Sequence, residues 1–584
     1  MCGIVGYVGK KEKTLSVLIM GLENLEYRGY DSAGIAYIKN NKIVINKEKG
    51  RISNLKKIIN FDDETELGIG HTRWATHGEA NKVNSHPHTS GKITIVHNGI
   101  IENYLELKKE LKEKGYSFKT DTDTEVAAVL LDDLYTKSND MIKAIKEFKT
   151  IIKGAYALGI INMDEQDTLY AIKNNSPLII GIGSKENYIA SDVPAIFNET
   201  KKYIALEDGE YSKITKDKVD VYSDDNRKKK LDIKEFKGNA NTMSKNGYEH
   251  FMKKEIHEQP EIIKNNLDTI VPSIKKYNKI VIVACGSAMH AGLVGKYLIE
   301  EYANIPVDVE IASEFRYKKL FIDNKSLVIA ISQSGETADT LEAVKIAKKH
   351  GSRTLGIINV EESSIAREVD DVIYTKAGPE IAVATTKGYT SQVEILSKIA
   401  CSILKDNNYE SDLKELPIIM EEILSNEEEY INIAKEIYKY NDIFFIGRRI
   451  DYAVAMEGSL KLKEISYIHS EAYPAGELKH GTISLIDKGT PVIGIVTDEK
   501  ISDKTISNIK EVKARGANVI YLTTDKLAKV GDFYNKIILI PKVNPLLQPL
   551  ITILPLQLIS YHVARFNKRD IDKPRNLAKS VTVE

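Results

Sequence analysis

The stretch KIVIVACG, residues 279–286, decides the fold of the C-terminal half of the chain, and DIFFIG, residues 442–447, repeats it. Each is a short apolar run that ends at a glycine and leads into a helical pattern, as a buried strand followed by a helix does. Alternating strands and helices are typical of a parallel sheet with helices on both faces. We therefore predict two α/β domains of one topology, with further strands at residues 327–331, 353–358, 491–496 and 518–522.

The N-terminal half mixes short strands with helices, which predicts sheet layers covered by helices. Apolar runs and helical spacing indicate strands at residues 4–8, 93–96 and 155–162, and helices at 14–24 and 121–134.

The balance of charge and the cysteine count exclude several classes of protein. The 82 basic and 83 acidic residues give a net charge of −1, which favours neither nucleic acid nor an anionic membrane as a partner. Only three cysteines occur, which argues against a disulfide framework and fits a reducing, cytoplasmic location. The uncharged stretch at 543–564 contains three prolines, so we expect a loop and a buried helix at about 550–564 rather than a membrane span.

Cys2 follows the initiator methionine, and its small side chain favours removal of Met1. The thiol would then share a residue with a free α-amine, whose reference pKa of about 7.7–8.0 lets part of it act as a base at neutral pH. Covalent catalysis uses this pairing of an attacking atom with an adjacent base. A buried structural cysteine is the alternative, but the motifs elsewhere in the chain favour the nucleophile.

The predicted strand at 327–331 runs into SQSGET, residues 332–337, which opens a helix. Small hydroxyls, a glycine and free N–H groups at a helix start suit an anion such as phosphate, although an ordinary capping loop has a similar sequence. The segment contains no lysine, so it is not a P-loop, and Glu336 must point away from a bound phosphate. The equivalent loop of the second repeat, TDEK at 497–500, is acidic, so we expect one phosphate pocket, in the first repeat.

The helix predicted at 453–467 carries Glu457, Lys461 and Glu464 on one face, because their spacings are four and three residues. Two interpretations remain, namely surface ion pairs and an acid–base array in a cleft. In the following segment GELKHG, residues 476–481, His480 suits a proton carrier better than a core position.

Four further segments of the N-terminal half carry polar side chains of interest. RWATHG, residues 73–78, contains the only tryptophan, and HNG, residues 97–99, pairs an asparagine with a glycine N–H, as an oxyanion hole does. Asp123 stands at a helix start, where an N-cap is the simplest interpretation. His86 and His88 suggest a metal, but no cysteine or acid stands nearby at ligand spacing, so none is predicted.

Together these residues resemble the family of glutamine–fructose-6-phosphate aminotransferases (isomerising), the glucosamine-6-phosphate synthases, along the whole chain. The first of the shared motifs occurs in other class II amidotransferases, whereas the later ones are specific to this family. The resemblance implies conversion of fructose 6-phosphate and glutamine to glucosamine 6-phosphate and glutamate, the first step of hexosamine synthesis, without a cofactor. The motifs are CGIVG (2–6), YRGYDS (27–32), RWATHG (73–78), HNG (97–99), SQSGET (332–337), EISYIH (464–469), GELKHG (476–481) and LAKSVTVE (577–584).

The resemblance also implies the domain organisation and a homodimer. The expected parts are an N-terminal-nucleophile glutaminase of αββα layers at 1–222, a polar linker at 223–247, two tandem sugar isomerase (SIS) domains at 248–420 and 421–565, and a tail at 566–584.

In the glutaminase, the resemblance makes Cys2 the nucleophile and gives the oxyanion to Asn98 and the Gly99 N–H. The positions that match the glutamine pocket and the channel are Arg73 for the α-carboxylate, Asp123 for the α-ammonium, Thr76, His77 and, at the gate of an internal ammonia channel, Trp74.

In the synthase half, Lys579 matches the lysine that forms a Schiff base with open-chain fructose 6-phosphate. Glu464 matches the base that moves a proton between C1 and C2, and His480 matches the ring-opening histidine, which the neighbouring subunit supplies in the family. The positions expected to bind the sugar phosphate or to support the site are Ser287, Ser332, Gln333, Ser334, Thr337, Glu380, Val383, Glu457 and Lys461.

Three other functions fit less well. A class II amidotransferase of the phosphoribosyl-pyrophosphate type needs a different C-terminal domain. A sugar-phosphate sensor needs the pocket at 332–337 but not Cys2, Glu464 or Lys579. A deglycase built on the same sugar domains has no use for Cys2 and its glutaminase partners.

One position departs from the family pattern. The family usually has Cys-Gly-Thr-Ser after the first isomerase strand, whereas this chain has CGSA at 285–288, so Ala288 has no hydroxyl for the phosphate. We predict that Ala288→Ser lowers the KM for fructose 6-phosphate about two- to tenfold, because a hydrogen bond to a charged group is gained. Steady-state kinetics measure the change, and equal KM values would count against it.

Overall fold

The structure is a computed structural model that describes residues 2–75, 77–236, 244–404 and 408–582. It divides into two compact units. The first is Met1–Thr242 together with Ala578–Glu584, and the second is Met243–Leu577.

The described part of the first unit contains two antiparallel sheets and five helices. Its strands are β1 Gly3–Val8, β2 Ser32–Lys39, β3 Lys42–Lys49, β4 Leu67–Arg73, β5 His88–Ser90, β6 Ile93–Ile101, β7 Gly154–Asn162, β8 Leu169–Asn174, β9 Ile179–Ile182, β10 Asn187–Ala190, β11 Lys202–Ala205, β12 Tyr211–Ile214, β13 Val219–Tyr222 and β14 Lys234–Glu235. Its helices are α1 Thr14–Asn24, α2 Ile52–Lys56, α3 Tyr104–Glu113, α4 Asp123–Ser138 and α5 Met141–Ile151.

The two sheets of the first unit stack face to face between helices. One has the strand order β14-β11-β9-β10-β1-β4-β2-β3, and the other has the order β13-β12-β8-β7-β6-β5. Apolar side chains of both sheets, such as Ile4 and Ile161, form one buried layer between them. Helix α1 packs on the outer face of the first sheet, and α4 and α5 pack on the outer face of the second. These α, β, β and α layers confirm the predicted fold class of the glutaminase.

Part of the predicted polar linker at 223–247 forms backbone hydrogen bonds with strands of the first unit. Strand β14 pairs with β11 at the edge of the first sheet, and Lys228 forms an isolated bridge with Tyr222. The Phe236 N–H donates to the carbonyl of Lys201. Backbone pairing therefore continues beyond residue 222, and the domain limits given above remain predictions.

The described part of the second unit alternates helices with parallel strands. Its strands are β15 Lys279–Ala284, β16 Val307–Ile311, β17 Ser326–Ser332, β18 Arg353–Ile358, β19 Asp371–Tyr374, β20 Asp442–Gly447, β21 His469–Pro474, β22 Pro491–Val496, β23 Asn518–Thr524 and β24 Lys536–Ile540. Its helices are α6 Phe251–His257, α7 Gln259–Asn266, α8 Gly286–Ala303, α9 Ala312–Phe315, α10 Ala338–Lys349, α11 Ser364–Glu368, α12 Lys387–Leu404, α13 Tyr409–Ser425, α14 Glu427–Ile437, α15 Ile450–Ser466, α16 Ser502–Lys513 and α17 Gln548–Phe566.

The two sheets of the second unit share one topology. Their strand orders are β16-β15-β17-β18-β19 and β21-β20-β22-β23-β24, and every pairing is parallel. The repeat predicted from the sequence is therefore confirmed. Because the strands are parallel, the loops at their carboxyl ends meet at one edge of each sheet, where ligands of such folds bind.

The two domains of the second unit share one hydrophobic core. It contains side chains of α8 and α12 from the first domain and of α15 and α17 from the second. Helix α17 is buried from Gln548 to Ala564, which confirms the prediction of a buried helix there. No helix among the described residues is both long and apolar enough to cross a membrane.

The contact between α8 and α12 generates a stability prediction. Leu396 of α12 is fully buried and packs closely on Gly295 of α8. We expect Leu396→Ala to lower the free energy of unfolding by about 2–5 kcal/mol, because it leaves a cavity between tightly packed helices. Leu404→Ala, at the exposed end of the same helix, is the control and should cost less than about 0.5 kcal/mol. Urea unfolding followed by circular dichroism measures both, and equal losses would contradict this packing.

Candidate active sites

Cys2 lies just before β1 and is half-buried beside the end of β4. The Trp74 N–H donates to Sγ of Cys2 at 3.3 Å, and Sγ lies 3.5 Å from the Trp74 carbonyl oxygen. Burial raises the pKa of the Cys2 thiol. The predicted nucleophile is thus held by the backbone of the predicted gate residue.

Asn98 and Gly99 lie in β6, and the side chain of Asn98 contacts the residue of the nucleophile. Its Nδ2 donates to the Cys2 carbonyl oxygen at 3.1 Å and to Ser191 Oγ at 2.7 Å. Gly99 has φ +120°, and a Cβ there would lie 1.9 Å from the Ala155 carbonyl oxygen, so only glycine fits. The structure therefore places Asn98, one of the two predicted oxyanion donors, next to Cys2.

Arg73, at the end of β4, is hydrogen-bonded to the loop that follows that strand. The buried Arg73 guanidinium donates to the carbonyl oxygens of His77, of Gly78 at 3.1 Å and of Glu79 at 3.4 Å. The His77 ring packs edge-on against Tyr104, with ring centroids 5.2 Å apart. Thr76 lies outside the described residues.

Asp123 is buried at the start of α4, but it is not the helix cap. Thr122 is the N-cap, and its hydroxyl accepts from the Glu125 N–H. Oδ2 of Asp123 accepts from the Ile101 N–H at 2.9 Å and lies 3.9 Å from Nδ1 of His97. The N-cap interpretation of Asp123 is therefore wrong, and its carboxylate lies near the end of the strand that carries Asn98.

A cluster of buried histidines supports Asn98 from behind. His71 Nε2 lies 2.9 Å from the His97 carbonyl oxygen and 3.1 Å from Oδ1 of Asn98. The His71 and His86 rings stack with centroids 4.1 Å apart. Burial lowers the pKa of His71 to about 3 and lowers the pKa values of His86, His88 and His97. A neutral His71 donates from Nε2 to Oδ1, which leaves the Nδ2 donor of Asn98 facing Cys2.

The histidine cluster does not form a metal site in the described chain. Among the described residues, no group of three or more His, Cys, Asp or Glu side chains is arranged to hold a metal ion.

In the second unit, SQSGET forms the turn between β17 and α10. The Gly335 N–H donates to Ser332 Oγ at 3.0 Å, and Ser332 Oγ lies 3.0 Å from Thr337 Oγ1. Gly335 has φ +67°, and a Cβ there would lie 1.9 Å from Ser363 Oγ. The Glu336 carboxylate accepts from the N–H and the hydroxyl of Ser364, both at 2.8 Å. It is thereby engaged by the neighbouring helix α11.

The equivalent turn of the second repeat is closed by a carboxylate of the chain itself. Asp451, in the first turn of α15, accepts from the N–H groups of Thr497 at 2.8 Å and Asp498 at 3.2 Å, and from the Thr497 hydroxyl. Burial raises the pKa of Asp451 to about 6. Because an internal anion already occupies these donors, the arrangement supports the prediction of one phosphate pocket, in the first repeat.

Helix α15 carries the predicted acid–base array on a buried face. Glu457 and Lys461 are fully buried, and the Glu464 side chain is 20% exposed. Lys461 Nζ lies 3.5 Å from Oε1 of Glu457 and 2.5 Å from Oε2 of Glu464. Surface ion pairing is therefore the wrong interpretation of these three residues.

The Glu457 carboxylate is held by the first turn of α8, in the other isomerase domain. Ser287 Oγ donates to Oε1 at 2.8 Å, and His290 Nδ1 lies 2.8 Å from Oε2. Ser287, predicted to bind the sugar phosphate, thus uses its hydroxyl on Glu457. Ala288 follows it in the same turn and is half-buried.

Four other predicted residues lie elsewhere. The Glu380 carboxylate accepts from the N–H groups of Thr386 at 2.9 Å and Gly388 at 3.1 Å, so it orders the turn before α12. The Val383 N–H donates to the Asp572 carbonyl oxygen at 2.9 Å. His480 is exposed in a short 3-10 helix. Lys579 lies in the segment that groups with the first unit.

The chain is similar to proteins of known family along its whole length. The glutamine amidotransferase domain family matches residues 71–198, and the SIS domain family matches residues 273–401 and 436–565. The glutamine–fructose-6-phosphate aminotransferase (isomerizing) of Caldanaerobacter subterraneus is 50% identical over 611 aligned residues, which cover 100% of both chains. The chain belongs to the glutamine–fructose-6-phosphate aminotransferase (isomerizing) family.

Two further relatives of this family support the assignment. The aminotransferase of Aquifex aeolicus is 44% identical and is covered in full by this chain. The solved C-terminal domain of glucosamine-fructose-6-phosphate aminotransferase from Francisella tularensis is 39% identical, with a TM-score of 0.54 over 57% of this chain and 100% of that one. The resemblance read from the motifs is therefore confirmed.

Several side chains of these sites were not predicted from the sequence. His71 stands two residues before Arg73 in β4, and a period of two along the strand was the available signal. His290 stands three residues after Ser287 in α8, so helical spacing could have paired them. Ser191 and Asp451 carry no such signal, because they come close to their partners only through the fold.

The buried histidines generate a prediction for acid stability. In the folded first unit they stay neutral, whereas in the unfolded chain they bind protons below pH about 6.5. Below that pH the unfolded state therefore holds more protons than the folded state. The free energy of unfolding is highest above that pH and falls as the pH drops toward the lowered pKa values of the folded state. The resistance of the first unit to urea should therefore decline from pH 7 to pH 5. Fluorescence of Trp74, the only tryptophan, reports this unit alone.

The matched variants for this prediction are His88→Gln and His350→Gln. His88 is buried in the cluster, whereas His350 is exposed at the end of α10. We expect His88→Gln to reduce the pH dependence of the free energy of unfolding by about one proton, or about 1.4 kcal/mol per pH unit. His350→Gln should leave that pH dependence unchanged. An unchanged slope in His88→Gln would rule out this origin of the acid sensitivity.

Proposed function

We propose that the chain transfers the amide nitrogen of glutamine to fructose 6-phosphate and isomerises the product to glucosamine 6-phosphate, releasing glutamate. One observation carries the proposal: a relative named for this reaction is 50% identical over its full length and that of the chain. The contact of Asn98 with Cys2 and the contact of Lys461 with Glu464 also support it.

In the glutaminase, Cys2 attacks the side-chain amide carbon of glutamine. Asn98 Nδ2 and the Gly99 N–H stabilise the negative charge of the tetrahedral oxygen by hydrogen bonds. Ammonia leaves as the thioester forms. Water then releases glutamate and restores the thiol. The proximity of Asn98 to Cys2 supports this part, and Arg73, Thr76, His77 and Asp123 are the residues we assign to the glutamine backbone.

In the synthase half, the Lys579 amine forms a Schiff base with C2 of open-chain fructose 6-phosphate, and the carbonyl oxygen leaves as water. Ammonia from Cys2, passed through an internal channel gated by Trp74, displaces the lysine. Glu464 then moves the proton between C1 and C2, which needs one well-placed base. The contact that places the Lys461 ammonium 2.5 Å from the Glu464 carboxylate supports a fixed position of the base. We assign the phosphate to Ser332, Gln333, Ser334 and Thr337.

We further propose that the protein acts as a homodimer in the cytoplasm. His480 is exposed on its own chain, which supports its use by the neighbouring subunit as the histidine that opens the sugar ring. The low number of cysteines suits a reducing compartment.

The test is an assay of purified protein with glutamine and fructose 6-phosphate that measures both glutamate and glucosamine 6-phosphate. We expect equal amounts of the two products. Cys2→Ala should lose glutamine hydrolysis, by at least about 1,000-fold, while it keeps conversion of fructose 6-phosphate to its aldose isomer. Lys579→Ala should lose the sugar reactions and keep the glutaminase.

Each arm of this assay has an outcome that contradicts the proposal. Glutamate without amino sugar would point to a different nitrogen acceptor. Amino sugar made from glutamine by Cys2→Ala would remove Cys2 from its role, and full isomerisation by Lys579→Ala would do the same for Lys579.

A further inference from the structure

The Glu457 carboxylate is one of the fully buried charged groups of the isomerase half. Each of its oxygens meets a side chain of the first turn of α8. Ser287 Oγ lies 2.8 Å from Oε1, and His290 Nδ1 lies 2.8 Å from Oε2. His290 is itself 7% exposed. Since a carboxylate only accepts hydrogen bonds, Nδ1 of His290 carries the proton of this contact.

Glu457 is the first member of a buried row of alternating charges. Lys461 Nζ stands between Oε1 of Glu457, at 3.5 Å, and Oε2 of Glu464, at 2.5 Å. Burial alone would lower the pKa of the Lys461 ammonium, but the charges of Glu464 and Glu457 outweigh it and raise that pKa above its usual value. The position of Lys461 is therefore set by two carboxylates, and only Glu464 is partly open to solvent.

We propose that His290 is a positioning residue for the isomerisation step. It fixes the orientation of Glu457, which holds Lys461 against Glu464 and so keeps the Glu464 carboxylate aimed at the sugar. This inference rests on the proposed function, because it takes Glu464 as the base. No motif of the sequence and no domain match assigns His290 a role.

Removal of the His290 side chain would leave the buried charge of Glu457 without one of its partners. Without the His290 donor, one oxygen of Glu457 has no partner in a dry environment, which is costly for an ionised carboxylate. Lys461 is the nearest mobile cation, so it shifts toward Glu457 and away from Glu464. The base then loses both its neighbouring positive charge and its fixed orientation, and the rate of proton transfer falls. The phosphate loop at 332–337 is on a different element, so sugar binding is retained.

The test compares His290→Leu with His290→Asn. Leucine fills similar space without a donor, whereas asparagine places an N–H donor at the same number of bonds from Cα as Nδ1. We expect His290→Leu to reduce kcat for conversion of fructose 6-phosphate to its aldose isomer by about 10- to 100-fold. The KM for the sugar should stay within about twofold and the glutaminase rate should be unchanged. His290→Asn should keep kcat within about threefold of the wild type.

A second buried histidine provides the matched control. His562 of α17 is fully buried and lies 2.9 Å from the Glu427 carboxylate, outside the array. His562→Leu removes the same kind of pair and should leave isomerisation near the wild-type rate. A wild-type kcat in His290→Leu, a raised KM with kcat unchanged, an equal loss in His562→Leu, or an asparagine variant as slow as the leucine variant would each overturn the inference.

The variant Glu464→Gln separates this inference from the proposed function. If Glu464→Gln loses isomerisation and His290→Leu does not, the positioning role fails and the base assignment stands. If Glu464→Gln retains isomerisation, the base assignment fails, and the inference about His290 fails with it.

Discussion

The isomerase half depends on one carboxylate, that of Glu457, buried where two helices from different domains meet. Helix α15 supplies Glu457, and the first turn of α8 supplies Ser287 and His290 to its two oxygens. A buried charge costs several kcal/mol unless its partners are well placed. A displacement of one helix along the other would separate that charge from Ser287 and His290. Lys461 lies beside Glu464 on the same helix as Glu457.

The two isomerase domains show how one topology is used for two purposes. Both sheets have the same strand order. In each domain, a turn leads from the third strand in chain order, β17 or β22, into a helix. In the first domain that turn is made of small hydroxyl residues, and its acidic member, Glu336, is engaged by Ser364. In the second, Asp451 occupies the backbone donors. An internal carboxylate thus occupies, in the second domain, the position equivalent to the turn to which we assign the phosphate in the first.

The glutaminase half relies on neutral polar groups in a dry environment. His71 is too deeply buried to hold a proton on both nitrogens, so its Nε2–H faces Oδ1 of Asn98. The Nδ2 group of Asn98 then faces Cys2 and Ser191. A displaced His71 would remove the reason for that orientation, so loss of the packing around the buried histidines would also disturb the geometry around Cys2.

The sequence by itself determined the class of each half and most of the residues near the two sites. Apolar runs with short periods are local signals, so the strands, the tandem repeat and the buried α17 were predictable. The motifs are local signals as well, and they identified Cys2, Asn98 and the polar face of α15. Only the tertiary structure decided the partners of those residues: His71 behind Asn98, Asp451 in the second loop and His290 on Glu457. These contacts join segments that are far apart in the chain, and hydrogen bonding between such segments leaves no periodic pattern in the sequence.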